Sequence, residues 1–214
     1  MMACLRITKL DFFTIKTQLL SYFSLVAIIL MLGFMGSPVT VLCITGAWFT
    51  ALQASNIFAI QEKNNLECLY GSVSVALKDI VLGRYIFMLL NYFISFLVVV
   101  ALYIGFALYG NNAINLTDIM LGFGLSFFIF SAITGIQMPL FFKMGYTKAK
   151  IMALIPFLII MLLVVIPSFI SILSDLVQSA MANQGMIIAV GIIASCIIQF
   201  VSYKVAVIAY RKRK

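Results

Sequence analysis

The chain has 214 residues, of which 64% are hydrophobic and only 9% are charged. Soluble domains carry about 25% charged residues, so this composition excludes an ordinary soluble protein. The mean hydropathy of +1.20 comes from apolar residues spread along the whole sequence, which leaves no room for a soluble catalytic domain. The sequence therefore predicts an all-α integral membrane protein.

Residue types that support chemistry are scarce. The chain has no histidine, the commonest metal ligand and general base, and its four cysteines lie at isolated positions. We therefore predict no catalytic residues, no metal site and no cofactor bound by this chain. The net charge of +8 alone would fit nucleic acid, but the basic residues flank the apolar stretches, so no nucleic-acid partner is predicted.

Five stretches without any charged residue divide the chain. The first is long enough for two membrane spans, and Gly36 and Pro38 contribute to a turn near its middle. A span needs about 20 residues. Spans are predicted at 19–36, 39–60, 86–108, 119–141, 151–173 and 185–207. Residues 1–214 are then a single transmembrane domain of six helices.

The basic residues predict the orientation of these spans. Thirteen of the 14 fall before the first span, between the second and third, between the fourth and fifth, or after the last, and Lys204 lies near the C-terminal end of the last span. The only charged residues in the opposite connections are Asp118 and Asp175. Because basic residues are retained on the cytoplasmic side, both termini are predicted to be cytoplasmic. No cleaved signal peptide is predicted, since the first apolar run continues into a second span.

The cytoplasmic connection from 61 to 84 is longer than a helix hairpin requires, and it is half apolar. Four of its side chains follow the spacing i, i+3, i+4 and i+7, which places them on one face of a short helix. These are Leu66, Leu69, Tyr70 and Val73. Such a face needs either the membrane interface or a groove on a partner, and the spacing leaves both interpretations open.

Uncharged polar side chains inside the predicted spans are candidates for the lining of a pathway. They are Gln53, Asn56, Asn91 and Gln137, with Ser55, Tyr92, Ser126 and Thr134. A pathway of such residues would suit an apolar or amphipathic cargo better than a highly charged one. The sequence does not distinguish a pathway from contact with neighbouring helices.

Small residues recur four apart in the predicted spans. The pairs are Ala101/Gly105, Gly122/Ser126, Ser131/Gly135 and Gly191/Ser195. This spacing lets helix backbones approach closely. It fits packing within one chain and packing in a dimer equally well.

A run of residues in the long connection resembles a known element. Glu62-Lys63-Asn64 precedes Leu69 to Tyr85, which closes with Lys78-Asp79-Ile80-Val81-Leu82-Gly83-Arg84-Tyr85. This run resembles the second cytoplasmic element of ABC (ATP-binding cassette) type 2 exporter permeases. Members typically have a Leu-Pro-Val-Ser-Arg core before Lys-x-Ile-Val-x-x-Arg-Tyr. The chain departs from that core with Ser74, Ala76 and Leu77 in place of proline, serine and arginine.

Two further stretches are similar to the branch of small six-span permeases. One is Thr8 to Lys16 before the first span, and the other is Pro139 to Lys150 after the fourth. With the run above, the resemblance covers nearly the whole chain. It implies a short cytoplasmic coupling helix between spans two and three.

The resemblance also implies partners. The chain would pair with a second permease copy or a paralogue and with two copies of a cytosolic ATPase that binds ATP and magnesium. No glycine in the sequence is followed by lysine, so a phosphate-binding Gly-Lys-Ser/Thr loop is absent from it. The implied ATPase-docking residues are Glu62, Lys63, Asn64, Leu66, Leu69, Tyr70, Val73, Lys78 and Arg84. The implied second cytoplasmic contact comprises Lys143, Gly145, Tyr146, Lys148 and Lys150.

The implied function is ATP-driven export of an amphipathic or hydrophobic substrate, such as a peptide, across a bacterial cell membrane. Two alternatives belong to other classes. A non-transporting sensor, immunity or assembly protein would use 61–84 to bind a different cytosolic partner. An intramembrane hydrolase would need a Ser–Lys pair, but Ser202 and Lys204 are two residues apart and point to different faces of a helix.

Overall fold

The computed structural model describes residue 8 and residues 19–64, 66, 76–110, 113–165 and 184–213. The regular elements in these ranges are all helical, which confirms the predicted class for this part of the chain. They are α1 (Leu19–Phe34), α2 (Val39–Lys63), α3 (Leu77–Tyr109), α4 (Leu116–Met144), the short α5 (Tyr146–Ala149), a 3₁₀ turn (Met152–Leu154), α6 (Ile155–Val165) and α7 (Gln184–Arg213).

Four of the described helices, α2, α3, α4 and α7, are long and apolar enough to cross a membrane. An apolar part of α1, Tyr22–Phe34, is shorter, and the fifth predicted span is described only to Val165. A multi-pass membrane protein is therefore confirmed. The count of six spans and the cytoplasmic placement of both termini stay predictions.

Helices α2, α3, α4 and α7 run past the predicted span boundaries. α3 has 33 residues, about 50 Å of helix, whereas the hydrocarbon core of a bilayer is about 30 Å thick. It begins at Leu77 rather than near residue 86, and α2 continues to Lys63. Much of the predicted 61–84 connection is thus helical. Charged residues mark where the apolar stretch ends, but lysine and glutamate are good helix formers and do not end the helix.

α2 and α4 pack side by side and run in the same direction. Near the start of α2, Cys43 lies against Gly122 of α4, where an added Cβ would meet the Cys43 sulfur at 3.2 Å. Near the end of α2, Phe58 stacks on Phe141 with ring centroids 4.9 Å apart. The second contact lies closer to the C-terminus than the first in both helices. The C-terminal ends of α2 and α4 therefore lie at the same end of the bundle.

α4 and α7 are also parallel, and their backbones approach closely at Gly124 and Gly191. A Cβ added to Gly191 would lie 3.1 Å from the carbonyl oxygen of Gly124. At the other end of the pair, Tyr210 packs on Phe142 with ring centroids 5.3 Å apart. The small residues Gly124 and Gly191 therefore allow two helices of the same chain to pack closely.

α3 runs antiparallel to α2, and α1 lies beside α3. Gly46 of α2 contacts Val99 of α3, while Phe58 near the end of α2 contacts Arg84 near the start of α3. Gly33 at the end of α1 is in close contact with the ring of Phe106. The turn between α1 and α2, the end of α3 and the start of α4 consequently share the opposite end of the bundle.

Candidate functional site

Basic side chains collect at one end of the bundle, which we call the basic end. It comprises the last turns of α2, α4 and α7, the first turn of α3, and α5. These carry Lys63, Lys78, Lys143, Lys148, Arg211, Lys212 and Arg213. The ring of Phe142 lies 5.1 Å from that of Phe58 and 5.3 Å from that of Tyr210, so aromatic packing holds three helices together here.

Glu62 joins the end of α2 to the turn between α4 and α5. Its Oε2 accepts a hydrogen bond from the backbone N–H of Tyr146 at 2.7 Å and from that of Thr147 at 3.2 Å. The Thr147 hydroxyl donates to the other carboxylate oxygen. The structure thereby brings together two segments that the sequence predicts as separate cytoplasmic contacts.

Gly145 makes room for this junction. Its φ is +78°, in the left-handed region that favours glycine, and an added Cβ would lie 3.2 Å from both Glu62 Oε2 and Arg213 Nη2. Three helix ends therefore converge within a few ångströms.

The same contacts stabilise the charged form of Glu62, which follows the uncharged stretch of α2. The Thr147 hydroxyl bond is the largest cause of its lowered pKa, and the backbone bonds and Arg213 act in the same direction. The carboxylate is therefore ionised, and the junction intact, at neutral pH.

Arg84 lies inside the bundle and is only 1% exposed. Its guanidinium carbon sits 4.9 Å from the centroid of the Phe58 ring, which is within the range of a cation–π contact. The side chain connects the first turns of α3 to the last turns of α2. A role for Arg84 in docking would thus act through the relative position of these two helices.

Thr8 lies in the same region. The Thr8 hydroxyl donates a hydrogen bond of 3.1 Å to the carbonyl oxygen of Gly83, the residue before Arg84. Thr8 opens the first of the two additional stretches that resemble small permeases. Its side chain is buried against α3.

The other predicted docking residues fall into two groups. The described side chains of Lys63, Asn64, Lys78, Lys143, Lys148 and Lys150 are exposed, whereas Leu66 and Tyr146 are half-buried. Leu66 packs against the main hydrophobic core. Leu69, Tyr70 and Val73 lie outside the described residues, so the predicted docking face stays a prediction.

Four of the polar residues predicted for a pathway make hydrogen bonds within the chain itself. Gln53, Asn91 and Gln137 are buried, and Asn56 is half-buried. Asn56 donates to the Gln53 side chain at 2.9 Å, and Gln137 donates to the carbonyl oxygen of Ala153 at 2.9 Å. Asn91 accepts a hydrogen bond from the Tyr22 hydroxyl at 2.7 Å. Their role in a pathway stays a prediction.

Sequence reasoning missed two polar pairs that tie α3 to its neighbours. The Tyr85 hydroxyl is hydrogen-bonded to Ser202 of α7, and the Tyr92 hydroxyl to Ser126 of α4 at 2.7 Å. The two tyrosines are seven residues apart, which places them on one face of α3 two turns apart. That spacing was a signal for inward-facing hydroxyls, but it did not identify their partners.

Comparison with known proteins gives one positive finding. A family model described as ABC-2 family transporter protein matches residues 7–211. No curated protein and no solved structure matched the chain. The matched range includes α1 to α6 completely and all but the end of α7, as well as the junction at Glu62. The chain therefore belongs to the ABC-2 family of transporter proteins and is an ABC-2 type permease.

Proposed function

We propose that this permease is the membrane-spanning subunit of an ATP-driven exporter and that a separate cytosolic ATPase docks on its basic end. The observation that carries the proposal is the junction at Glu62, which fastens the end of α2, where the predicted docking segment begins, to the turn after α4. The bonds of Glu62 hold these two parts of the protein together. A partner that moves one of them therefore also moves the other.

Contacts between the helices would couple movement of the docking segment to movement of the membrane helices. The segment between α2 and α3 is covalently joined to both helices, and Arg84 packs on Phe58 across them. Glu62 adds the turn after α4 through its bonds to Tyr146 and Thr147. Closure of an ATPase pair driven by ATP would then displace α2, α3 and α4 together, as a rigid-body switch.

The complete assembly contains two ATPase copies, which hold ATP and magnesium, and a second permease copy or a paralogue. The family and the lack of any Gly-Lys dipeptide in the sequence support a separate ATPase subunit. We place the assembly in a bacterial cell membrane. The cargo is an amphipathic or hydrophobic molecule such as a peptide, because the buried polar side chains of α2 to α4 are uncharged apart from Arg84.

The docking face supplies the test. The permease is purified in mild detergent from its native host, and each recovered protein is identified by mass spectrometry. The wild type should retain a protein with a phosphate-binding Gly-Lys-Ser/Thr loop. Replacing Leu69 and Tyr70 together by aspartate should detach it, since each large apolar side chain buried in a groove contributes about 1.5–3 kcal/mol.

Replacing Gly71 and Ser72 by aspartate is the matched control, because a helix would put these residues on the opposite side with the same change in charge. This control should retain the ATPase, and permease yield reports folding in every variant. An undiminished ratio of ATPase to permease after the Leu69 and Tyr70 changes would exclude this face. Recovery of no such protein with the wild type would contradict the proposed function.

A further inference from the structure

A cavity of about 640 Å³ opens at the end of the bundle opposite the basic end. It lies between the turn that joins α1 to α2, the last turns of α3 and the first turn of α4. Its wall combines four aromatic rings with one carboxylate. These side chains are Phe34, Tyr103, Phe106, Tyr109 and Asp118.

An apolar groove of about 480 Å³ continues from this cavity between α1 and α3. The two spaces share Phe34, Phe106 and Tyr109. The groove extends along α3 from Tyr109 to Ala101, a rise of about 12 Å in an α-helix. Its other lining residues are Leu30, Leu102 and Gly105. A cavity that carries one carboxylate is thus joined to an elongated apolar groove.

The electrostatics of the cavity favour a cation. Two helix C-termini, of α1 and α3, and two helix N-termini, of α2 and α4, meet around it, so their partial charges offset one another. The described lining residues of both spaces include no lysine or arginine. The carboxylate of Asp118 then gives the wall of the cavity its net negative charge. The faces of the surrounding rings also attract cations.

We propose that the cavity and the groove together bind an amphiphile with a cationic ammonium head group and one apolar tail. The head group lies against Asp118 among the aromatic rings, and the tail lies in the groove beside Gly105. Aromatic residues also collect at membrane interfaces in general, but that role requires neither a concave space nor a carboxylate at its wall. The site lies at the opposite end of the bundle from the basic end.

The probe is radiolabelled dodecyltrimethylammonium, added to the full chain in lipid nanodiscs, with binding to empty nanodiscs subtracted. We expect saturable binding of one probe per chain. Asp118→Asn should weaken binding about tenfold, the effect of losing one favourable charge contact of about 1.4 kcal/mol. Uncharged dodecyl maltoside should compete at least about tenfold less well, by the same argument.

Filling the groove tests the tail independently of the charge. A Cβ added to Gly105 or to Gly185 meets no other atom within 4 Å, and both glycines are helical. Gly105→Leu should abolish saturable binding because the side chain occupies the groove. Gly185→Leu, at the start of α7 and outside both spaces, is the matched control and should bind like the wild type.

Three results would overturn the proposal: no binding above that of empty nanodiscs, equal competition by the maltoside, or wild-type binding by Gly105→Leu. An unchanged affinity of Asp118→Asn would overturn the assignment of the head group. Size-exclusion profiles of each variant show whether it is folded. If Asp118→Asn aggregates, the comparison of Gly105→Leu with Gly185→Leu still tests whether the probe binds in the groove.

Discussion

At the scale of residues, Glu62 shows what a sequence can and cannot reveal. The resemblance drew attention to Glu62 itself, but its hydrogen-bond partners lie 84 and 85 residues away. Helical periodicity relates residues within about two turns, so it cannot pair a side chain with a distant turn. Gly145 likewise belongs to a motif of the resemblance, whereas its structural role follows from a positive φ and the space beside Glu62.

Glu62→Ala removes the acceptor for the backbone N–H groups of Tyr146 and Thr147. We expect amide hydrogen exchange at these two positions to become several-fold faster at neutral pH, because both groups lose their bond to the carboxylate. Exchange in the middle of α4 should not change. Lys63→Ala, at the adjacent exposed residue, is the control, and equal protection of Thr147 in both variants would contradict the junction.

The charge state of Glu62 sets the range of pH over which this junction persists. Folding lowers the pKa of Glu62, so its carboxylate stabilises the folded protein at pH values above the pKa of the unfolded state. That contribution is lost as the pH falls through the pKa of the folded state. The junction should therefore hold throughout the neutral range.

At the scale of elements, the apolar stretches predicted where helices lie but not where they end. α1 ends at Phe34, close to the predicted boundary at 36, because glycine at position 36 adopts a φ of +74° and closes the helix. No such signal occurs near residue 86, and α3 starts instead at Leu77 with Asp79 in its first turn. An acidic residue at that position favours a helix N-terminus, and this was the signal available in the sequence.

The contact between α4 and α7 depends on the absence of a side chain at position 191. Gly191→Val would place a Cβ 3.1 Å from the backbone carbonyl oxygen of Gly124, so the two helices must separate. Overpacking of this kind costs about 1–3 kcal/mol. We expect a lower thermal unfolding temperature in detergent than for the wild type.

Gly185→Val is the matched control for this prediction. It makes the same substitution in the same helix, where an added Cβ meets nothing within 4 Å. The loss of glycine therefore alters helix propensity in both variants, and only the contact differs. Equal unfolding temperatures for the two variants would show that this glycine pair does not limit the approach of α4 and α7.

At the scale of the whole molecule, the charge distribution predicted more of the architecture than the motifs did. It indicated that the connections alternate between basic and non-basic, and the described basic residues do occupy one end of the bundle. It could not indicate that α4 packs against both α2 and α7 in parallel. That arrangement depends on the fit of glycines and aromatic rings between helices distant in sequence, which no local pattern encodes.

The orientation of the bundle decides whether an ATPase can reach the basic end. Because basic residues are retained in the cytoplasm, we expect this end to face the cytoplasm and the connection between α3 and α4 to face outward. In a background with the native cysteines replaced by serine, Ala113→Cys should react with a membrane-impermeant maleimide in intact cells. Lys148→Cys, which is exposed in α5, should react only after the cells are permeabilised.

Permeabilisation serves as the internal control for this labelling, since it shows that each introduced thiol is reactive. The two positions lie at opposite ends of the bundle, so a single orientation must give opposite results. Labelling of Lys148→Cys in intact cells, with Ala113→Cys protected, would place the basic end outside the cell. The junction at Glu62 would then be out of reach of any cytosolic ATPase, and docking through 61–84 would have to be abandoned together with the predicted orientation.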